Sequence, residues 1–197
     1  MKNKLYTTPF SKQYWLNAAK ETRNIRKLTL CALLISLQIA VASNYILIGE
    51  NLRLYGSFFI ICLNSCLGGP IMALISGFVA DTLGFLLFPS GNYFFGYAIS
   101  GMMGAFIYAL FTWKTKLSIL KLALAKLTVN LFVNVFLGSL WTSMLYTKGF
   151  LFYVSASLIK NLLLFPIEVI LLVLVFKTLV PFLYKKKLII CNQVPWF

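Results

Sequence analysis

Long apolar runs recur along the chain and are the feature that most restricts its fold. Six of them lie at roughly 28–48, 56–68, 70–88, 93–113, 120–146 and 151–180. A membrane-spanning helix needs about 20 mostly apolar residues, and the second run is the only one well short of that length. Charged residues make up 11% of the chain, against about a quarter in soluble domains. We therefore expect an all-α membrane protein, a compact bundle of six transmembrane helices.

The Lys and Arg residues predict how the bundle is oriented. Fourteen of the eighteen lie in 1–27, 114–121 and 177–187, whereas the opposite ends of the runs hold only Arg53 and Lys148. Basic residues mark cytoplasmic loops. Both termini are then predicted to be cytoplasmic, which requires an even number of spans. The net charge of +14 thus indicates membrane topology and not a nucleic-acid partner.

Three segments follow from this pattern. We expect a cytoplasmic basic segment at 1–27, a six-helix membrane domain at 28–180 and a cytoplasmic basic tail at 181–197. Within the first segment, 10–27 mixes aromatic and basic residues. This stretch is either an interfacial helix on the anionic leaflet or a basic flank that only fixes topology.

The composition offers little for catalysis. The chain has no His and only one Asp, which excludes a His-based triad, a His metal site and a paired-Asp protease. No GxxxxGK[ST] phosphate loop occurs, so the chain cannot hydrolyse ATP to drive transport. We expect neither an enzyme nor a metal site.

Polar residues at membrane depth are the strongest indication of a ligand site. They are costly in lipid and usually face a cavity or a partner. Asn130, Asn134 and Trp141 can share a helix face at offsets of four and seven. Amide groups below an indole suit a flat heteroaromatic ligand. The alternative is that the two Asn residues form hydrogen bonds between helices.

Two basic residues could meet an anionic group on the same ligand. Lys160 lies in the outer half of the last run, and Arg53 lies in the outer loop GENLRLYGS. A guanidinium suits bidentate contact with a carboxylate. The alternatives are that Lys160 pairs with Glu168 or Asp81, and that Arg53 is a solvated loop charge.

Small residues indicate where helices touch, because helix association in lipid relies on close packing. Ala32, Ser36 and Ala40 recur every four residues in the first run. This stripe either packs against a helix of the same chain or docks a separate membrane protein. Gly101, Gly104 and Ala105 are predicted to serve internal packing.

Several segments together resemble a known family. The run ADTLGFLLFPSGNYFFGYAISGMMGAFIY at 80–108, VNLFVNVFLGSLWTSMLYTKGF at 129–150 and LIKNLLLFPIEVILL at 158–172 are similar to the folate-specific, FolT-like substrate-binding (S) components of energy-coupling factor (ECF) transporters. The similarity covers roughly 18–180.

The resemblance implies a bacterial cell-membrane subunit that binds folate from outside. Asn134 and Trp141 would hold the ring system, with Phe94 and Tyr97 lining the pocket and Arg53 near the carboxylates. The stripe Ala32, Ser36, Ala40 would dock on a transmembrane T component. Two ATPase subunits would complete the complex, and only they would use ATP. The loaded S component would topple to release folate inside.

The sequence departs from this family at Ser157, where related chains often carry an Arg. Two alternatives to a folate-binding S component stay open. The ligand could be another flat vitamin, such as thiamine, riboflavin or a queuosine precursor. The chain could also be a structural membrane subunit without a ligand.

Overall fold

The computed structural model describes residues 11–42, 45–47, 53–89, 93–146, 149–190 and 193–196, with only the backbone in 45–47 and 53–55. These residues form helices and one short hairpin. The elements are α1 (Lys12–Glu21), α2 (Ile25–Ala42), β1 (Tyr45–Leu47), β2 (Arg53–Tyr55), α3 (Ser57–Gly68), α4 (Pro70–Leu87), α5 (Phe95–Thr112), α6 (Ile119–Thr128), a π-helical segment (Val129–Leu137), α7 (Gly138–Leu145) and α8 (Phe150–Lys185).

Five helices in the described part of the chain are long and apolar enough to cross a membrane. They are α2, α4, α5, the continuous helix from Ile119 to Leu145, and α8. The predicted bounds of the third, fourth and fifth runs agree with these helices within two residues at each end. The last helix continues beyond the predicted end at 180, to Lys185.

The second predicted span, 56–68, is a helix but a short one. Its 12 residues extend about 18 Å, less than the hydrocarbon core of about 30 Å. It ends because Gly69 has φ +83°, and Pro70 then starts α4 as the sequence predicts for LGGP. A Cβ on Gly69 would lie 2.7 Å from Cε2 of Trp113. Of the six predicted spans, five are therefore long enough to cross a membrane, and the second, already short in the sequence, is not long enough by itself.

The first predicted helix, 28–48, runs too far. It ends at Ala42, and 45–47 instead pair antiparallel with 53–55, with Leu47 opposite Arg53. The sequence continues with Ser and Asn, residue types that disfavour a helix interior, and then with Tyr and Ile, which favour strands. The described residues are otherwise α-helical or π-helical, with turns and irregular connections between the helices.

The helices pack around one main apolar cluster between α3, α5, the helix 119–145 and α8. α4 and α5 approach each other closely at two glycines, since a Cβ on Gly77 would lie 2.6 Å from the carbonyl oxygen of Gly101. Gly104 and Ala105 are buried as well. The prediction that these small residues of α5 serve internal packing is confirmed.

The outer faces of the bundle are apolar. Leu86, Leu162 and Leu174 are each at least 60% exposed. A water-soluble monomer rarely exposes so much contiguous apolar surface. Together with the five long helices, these faces describe a multi-pass membrane protein.

The amphipathic helix α1 packs on one end of this bundle. The Ser11 hydroxyl caps it by accepting a hydrogen bond from the Tyr14 backbone N–H at 3.3 Å. Tyr14 is buried edge-on against Trp113, with ring centroids 4.7 Å apart, while Trp15 and Leu16 stay exposed. A helix within 10–27 thus forms over Lys12–Glu21, and its position at a membrane interface stays a prediction.

Candidate ligand-binding site

An aromatic cluster forms where the start of α5 meets α7. The ring centroids of Phe94 and Trp141 are 5.7 Å apart, and those of Phe94 and Tyr97 are 5.8 Å apart. The Trp141 indole N–H donates a hydrogen bond to the Ser100 hydroxyl at 2.9 Å. Gly96 allows this contact, because a Cβ there would lie 2.7 Å from Cδ2 of Trp141. Three predicted site residues are therefore brought together.

A chain of polar side chains crosses from the helix 119–145 to α8. Glu168 accepts a hydrogen bond from Asn130 Nδ2 at 2.9 Å and forms an ion pair with Lys126 at 3.0 Å. Asn134 Nδ2 in turn donates to Asn130 Oδ1 at 3.1 Å. The same nitrogen donates to Asn161 Oδ1 on α8, also at 3.1 Å. The predicted pair Asn130 and Asn134 thus does hold helices together, as the packing alternative has it.

The backbone between these two clusters is π-helical. The π-helical segment Val129–Leu137 contains both Asn130 and Asn134 and continues directly into α7 with Trp141. A π-helix has i→i+5 hydrogen bonds and is frequent at functional sites. The wider turn rotates Trp141 away from the shared face that offsets of four and seven would give, and towards α5. The amides and the indole therefore contact different neighbours.

The two predicted cationic residues are less well connected. Lys160 is half-buried on α8 beside Asn161, and it forms no ion pair with any described residue. Its proposed pairing with Glu168 is wrong, since Glu168 pairs with Lys126. Arg53 belongs to β2, but its side chain is outside the described residues.

Sequence reasoning missed two members of the site, Lys126 and Ser100. Lys126 is only 2% exposed, and its ammonium also lies 4.3 Å from the ring centroid of Phe58. One signal was present: a lone Lys within the apolar run ALAKLTVN, which needs an anionic partner at membrane depth. Ser100 carries no such signal, because serine is common in membrane helices.

The small-residue stripe of α2 is exposed in the described part of the structure. Ala32, Ser36 and Ala40 are all exposed, as are the neighbouring Leu33 and Leu37. The Ser36 hydroxyl donates a hydrogen bond to the Ala32 carbonyl at 3.1 Å within the helix. The described helices therefore do not bury the stripe.

Other parts of the described structure offer less. A cavity of about 320 Å³ lies between the end of α8 and the tail, lined by Lys177, Pro181, Gln193, Val194 and Pro195. None of these belongs to the predicted ligand site. Among the described residues, no three His, Cys, Asp or Glu side chains are placed to hold a metal ion.

Comparison with known proteins identifies the family. No protein-family model matches the chain. A folate transporter FolT of Clostridium novyi is 30% identical over 139 residues, covering 71% of this chain and 81% of the relative. A folate transporter FolT of Leuconostoc mesenteroides is 29% identical over 73% of this chain and 80% of its own length. A crystal structure of FolT bound with folic acid superposes with a TM-score of 0.65 at 30% identity, over 74% of this chain and 88% of that one. This chain belongs to the FolT family of folate transporters.

Proposed function

We propose that this chain is the S component of an ECF-type transporter, which captures folate from outside the bacterial cell membrane. The observation that carries this proposal is the exposed amide of Asn134, one helix segment away from the Phe94–Trp141 cluster. Folate pairs a flat pterin, rich in hydrogen-bonding edges, with an acidic tail. The fold shared with a FolT structure that contains folic acid supports the same ligand.

The aromatic and polar clusters supply complementary contacts. The half-buried ring of Trp141 offers a stacking face, and its N–H is already satisfied by Ser100, so no polar group is lost when a flat ring covers it. Asn134 offers a hydrogen-bonding edge. Together they would orient the pterin, with Phe94 and Tyr97 at its rim.

Lys160 is the cation we propose for the acidic tail. It has no ion-pair partner among the described residues, unlike Lys126. An unpaired cation in a membrane helix marks a ligand pathway or a partner. The Arg that related chains often carry is replaced by Ser157, whose carbonyl accepts from Asn161 Nδ2 at 2.8 Å. Arg53 in the outer hairpin would assist.

Both termini are proposed to be cytoplasmic. With five long helices, this topology requires α3 to complete a sixth crossing together with the connection that contains the hairpin. The basic residues at 1–27, 114–121 and 177–187 support it. The exposed aromatics of α1 would then lie at the cytoplasmic interface.

The exposed stripe on α2 is proposed to dock on a transmembrane T component that associates with two ATPase subunits. Toppling of the loaded subunit would then deliver folate inside. Ala32→Trp should abolish co-purification with the T component and spare folate binding, because the indole would separate two closely packed helices. Leu174→Trp, at an exposed position of α8, is the matched control. Intact complexes with Ala32→Trp would contradict this docking face.

Folate titration of the purified protein tests the ligand. We expect saturable binding at nanomolar folate, with quenching of tryptophan fluorescence and heat release by calorimetry. Trp141→Phe should remove most of the quenching, whereas Trp196→Phe, 71% exposed at the other end of the chain, should not. If the wild-type protein shows no quenching and releases no heat, the ligand assignment is overturned. A thermal-shift panel with thiamine and riboflavin tests for another flat vitamin.

A further inference from the structure

We propose that the buried pair Lys126–Glu168 fixes which atom of Asn134 faces the ligand. Asn134 then presents only its carbonyl oxygen and selects a hydrogen-bond donor on the bound ring. This selection presupposes that the chain binds folate as proposed above. Lys126, Glu168 and Asn130 act as positioning residues, because they reach the ligand only through Asn134.

The orientation starts at Glu168. An ionised carboxylate can only accept hydrogen bonds. Its Oε1 pairs with Lys126 at 3.0 Å, and its Oε2 receives Asn130 Nδ2 at 2.9 Å. Lys126 is 2% and Glu168 7% exposed, so water does not compete for these bonds. Asn130 must therefore turn its NH₂ group towards Glu168.

The direction is passed on to Asn134. With its nitrogen committed to Glu168, Asn130 turns its oxygen the other way, and Asn134 Nδ2 donates to it at 3.1 Å. The same nitrogen donates its other hydrogen to Asn161 Oδ1 at 3.1 Å. An amide nitrogen has two hydrogens, so the donors of Asn134 are used up.

Asn161 favours the same orientation of the Asn134 amide without help from Glu168. Its Nδ2 donates to the Ser157 carbonyl at 2.8 Å within α8, which leaves its oxygen turned towards Asn134. Reversal of Asn134 would therefore place its oxygen against two acceptor oxygens. Every hydrogen bond in this network has a fixed donor and a fixed acceptor. The free energy needed to reverse the whole network therefore exceeds that needed to break any single bond in it.

The oxygen of Asn134 is the unused end of this chain. No described residue donates to it, and the side chain is exposed at membrane depth. Polar groups there usually face a cavity or a ligand. An acceptor in this position recognises a ring N–H. In the pterin of folate we assign this donor to N3–H.

The test compares folate with aminopterin, the 4-amino analogue of folate whose N3 carries no hydrogen. Against this carbonyl, the N3 lone pair of aminopterin replaces a hydrogen bond with repulsion. The wild-type protein should bind folate about 10- to 100-fold more tightly than aminopterin. Equal affinities for the two would overturn the selection.

Glu168→Gln should change this preference without removing the site. The introduced glutamine can accept from Lys126 with its oxygen and donate to Asn130 with its nitrogen. Asn130 then reverses and turns its NH₂ group towards Asn134, so that only Asn161 still favours the wild-type orientation of Asn134. The ratio of folate to aminopterin affinity should fall about threefold or more, because Asn134 is no longer held in one orientation. An unchanged ratio, with folate still bound, would overturn the role of the Lys126–Glu168 pair and leave the folate assignment intact.

The double variant Asn130→Asp with Glu168→Gln should rescue the preference. It moves the carboxylate one step along the chain, so that the introduced aspartate accepts from both the introduced glutamine and Asn134. The wild-type affinity ratio is expected to return. If Glu168 and Asn130 only support helix packing, the second substitution should add a second defect, and the wild-type affinity ratio should not return. Asp81→Asn removes a carboxylate from α4 that forms no hydrogen bond with a described residue, and it should leave the ratio unchanged.

Asn161→Leu provides a second test if Glu168→Gln does not fold. It releases one hydrogen of Asn134 Nδ2 without disturbing the ion pair. The affinity ratio should fall about threefold or more, because a donor becomes available beside the carbonyl. A wild-type ratio in this variant would contradict the network. If the wild-type protein binds neither folate nor aminopterin, the proposed function is rejected. The proposed selection by Asn134 is then rejected as well.

Discussion

Two tryptophans pack at opposite ends of α5, each against a glycine. Trp113 follows the last residue of α5 and lies against Gly69, whereas Trp141 meets the first turn of α5 at Gly96. In both cases a Cβ on the glycine would come within 2.7 Å of the indole. The same local arrangement therefore occurs near both ends of one candidate membrane span.

The two indoles differ in what surrounds them. Trp113 is 1% exposed, covered by Tyr14 at a centroid distance of 4.7 Å and by the ammonium of Lys114 at 4.8 Å. Trp141 is half-buried, and its other neighbours are the rings and hydroxyl of the ligand-site cluster. Burial on all sides makes Trp113 a packing residue. Trp141 is only half-buried, as the folate site proposed above requires.

Trp113→Ala should give the largest effect. A fully buried Trp replaced by Ala leaves a cavity and costs about 3–5 kcal/mol of unfolding free energy. Thermal unfolding in detergent should show a strongly lowered Tm, and α1 should lose its docking site. Trp196→Ala, at a 71% exposed position, is the control and should leave the Tm nearly unchanged. If Trp113→Ala has the same Tm as Trp196→Ala, Trp113 is not the packing residue that its burial indicates.

Trp141→Ala should reverse the pattern, with a small loss of stability and a large loss of folate affinity. Stacking of a flat base on an aromatic ring contributes about 1–3 kcal/mol, so calorimetry should show binding about 10- to 100-fold weaker. Trp15→Ala, at an exposed position of α1, should bind folate like the wild type. Wild-type affinity with Trp141→Ala would mean that both indoles serve only packing.

Gly96→Ala tests whether the close contact positions Trp141. The added Cβ would push the indole and Phe94 apart, and we expect folate affinity to fall by about 1 kcal/mol, or roughly fivefold. Gly104→Ala is the matched control on α5, since a Cβ there would meet atoms no closer than 3.9 Å. Equal binding by the two variants would show that Trp141 adjusts freely.

The sequence predicted the parts of the fold that follow from composition and short motifs. Apolar runs located four helices closely, and LGGP located the break before α4. The hairpin escaped because two three-residue strands leave almost no pattern. The π-helical segment escaped because i→i+5 hydrogen bonding has no characteristic residue spacing.

Some residues of the candidate site stood out in the sequence, but their connections did not. Asn134 and Trp141 stood out as polar groups in an apolar run. The pairing of Lys126 with Glu168 spans 42 positions and depends on how the helix 119–145 packs on α8. The same holds for Trp141 and Ser100. Such long-range pairings are set by helix packing, which a single sequence does not encode locally.

The smallest expected effect is electrostatic and belongs to the Trp113 end. Glu21, at the end of α1, lies 2.8 Å from Lys114 Nζ and 3.0 Å from Lys27 Nζ. Burial alone would raise the pKa of Glu21, but the hydrogen bonds and charges of the two lysines outweigh it and lower this pKa below its ordinary value of 4.5. Glu21 therefore stabilises the fold fully above about pH 4.5, and this contribution is lost as the pH falls through the lowered pKa.

Glu21→Gln should remove this pH dependence. The Tm of the wild type should fall more steeply below about pH 4.5 than that of the variant, while the difference stays constant above it. Lys116→Gln removes an exposed charge near Lys114 that forms no ion pair with a described residue, and it should keep the wild-type pH profile. Parallel profiles for Glu21→Gln and the wild type would mean that α1 is held by Tyr14 and Trp113 alone. The Trp113 end of α5 would then differ from the Trp141 end only in burial.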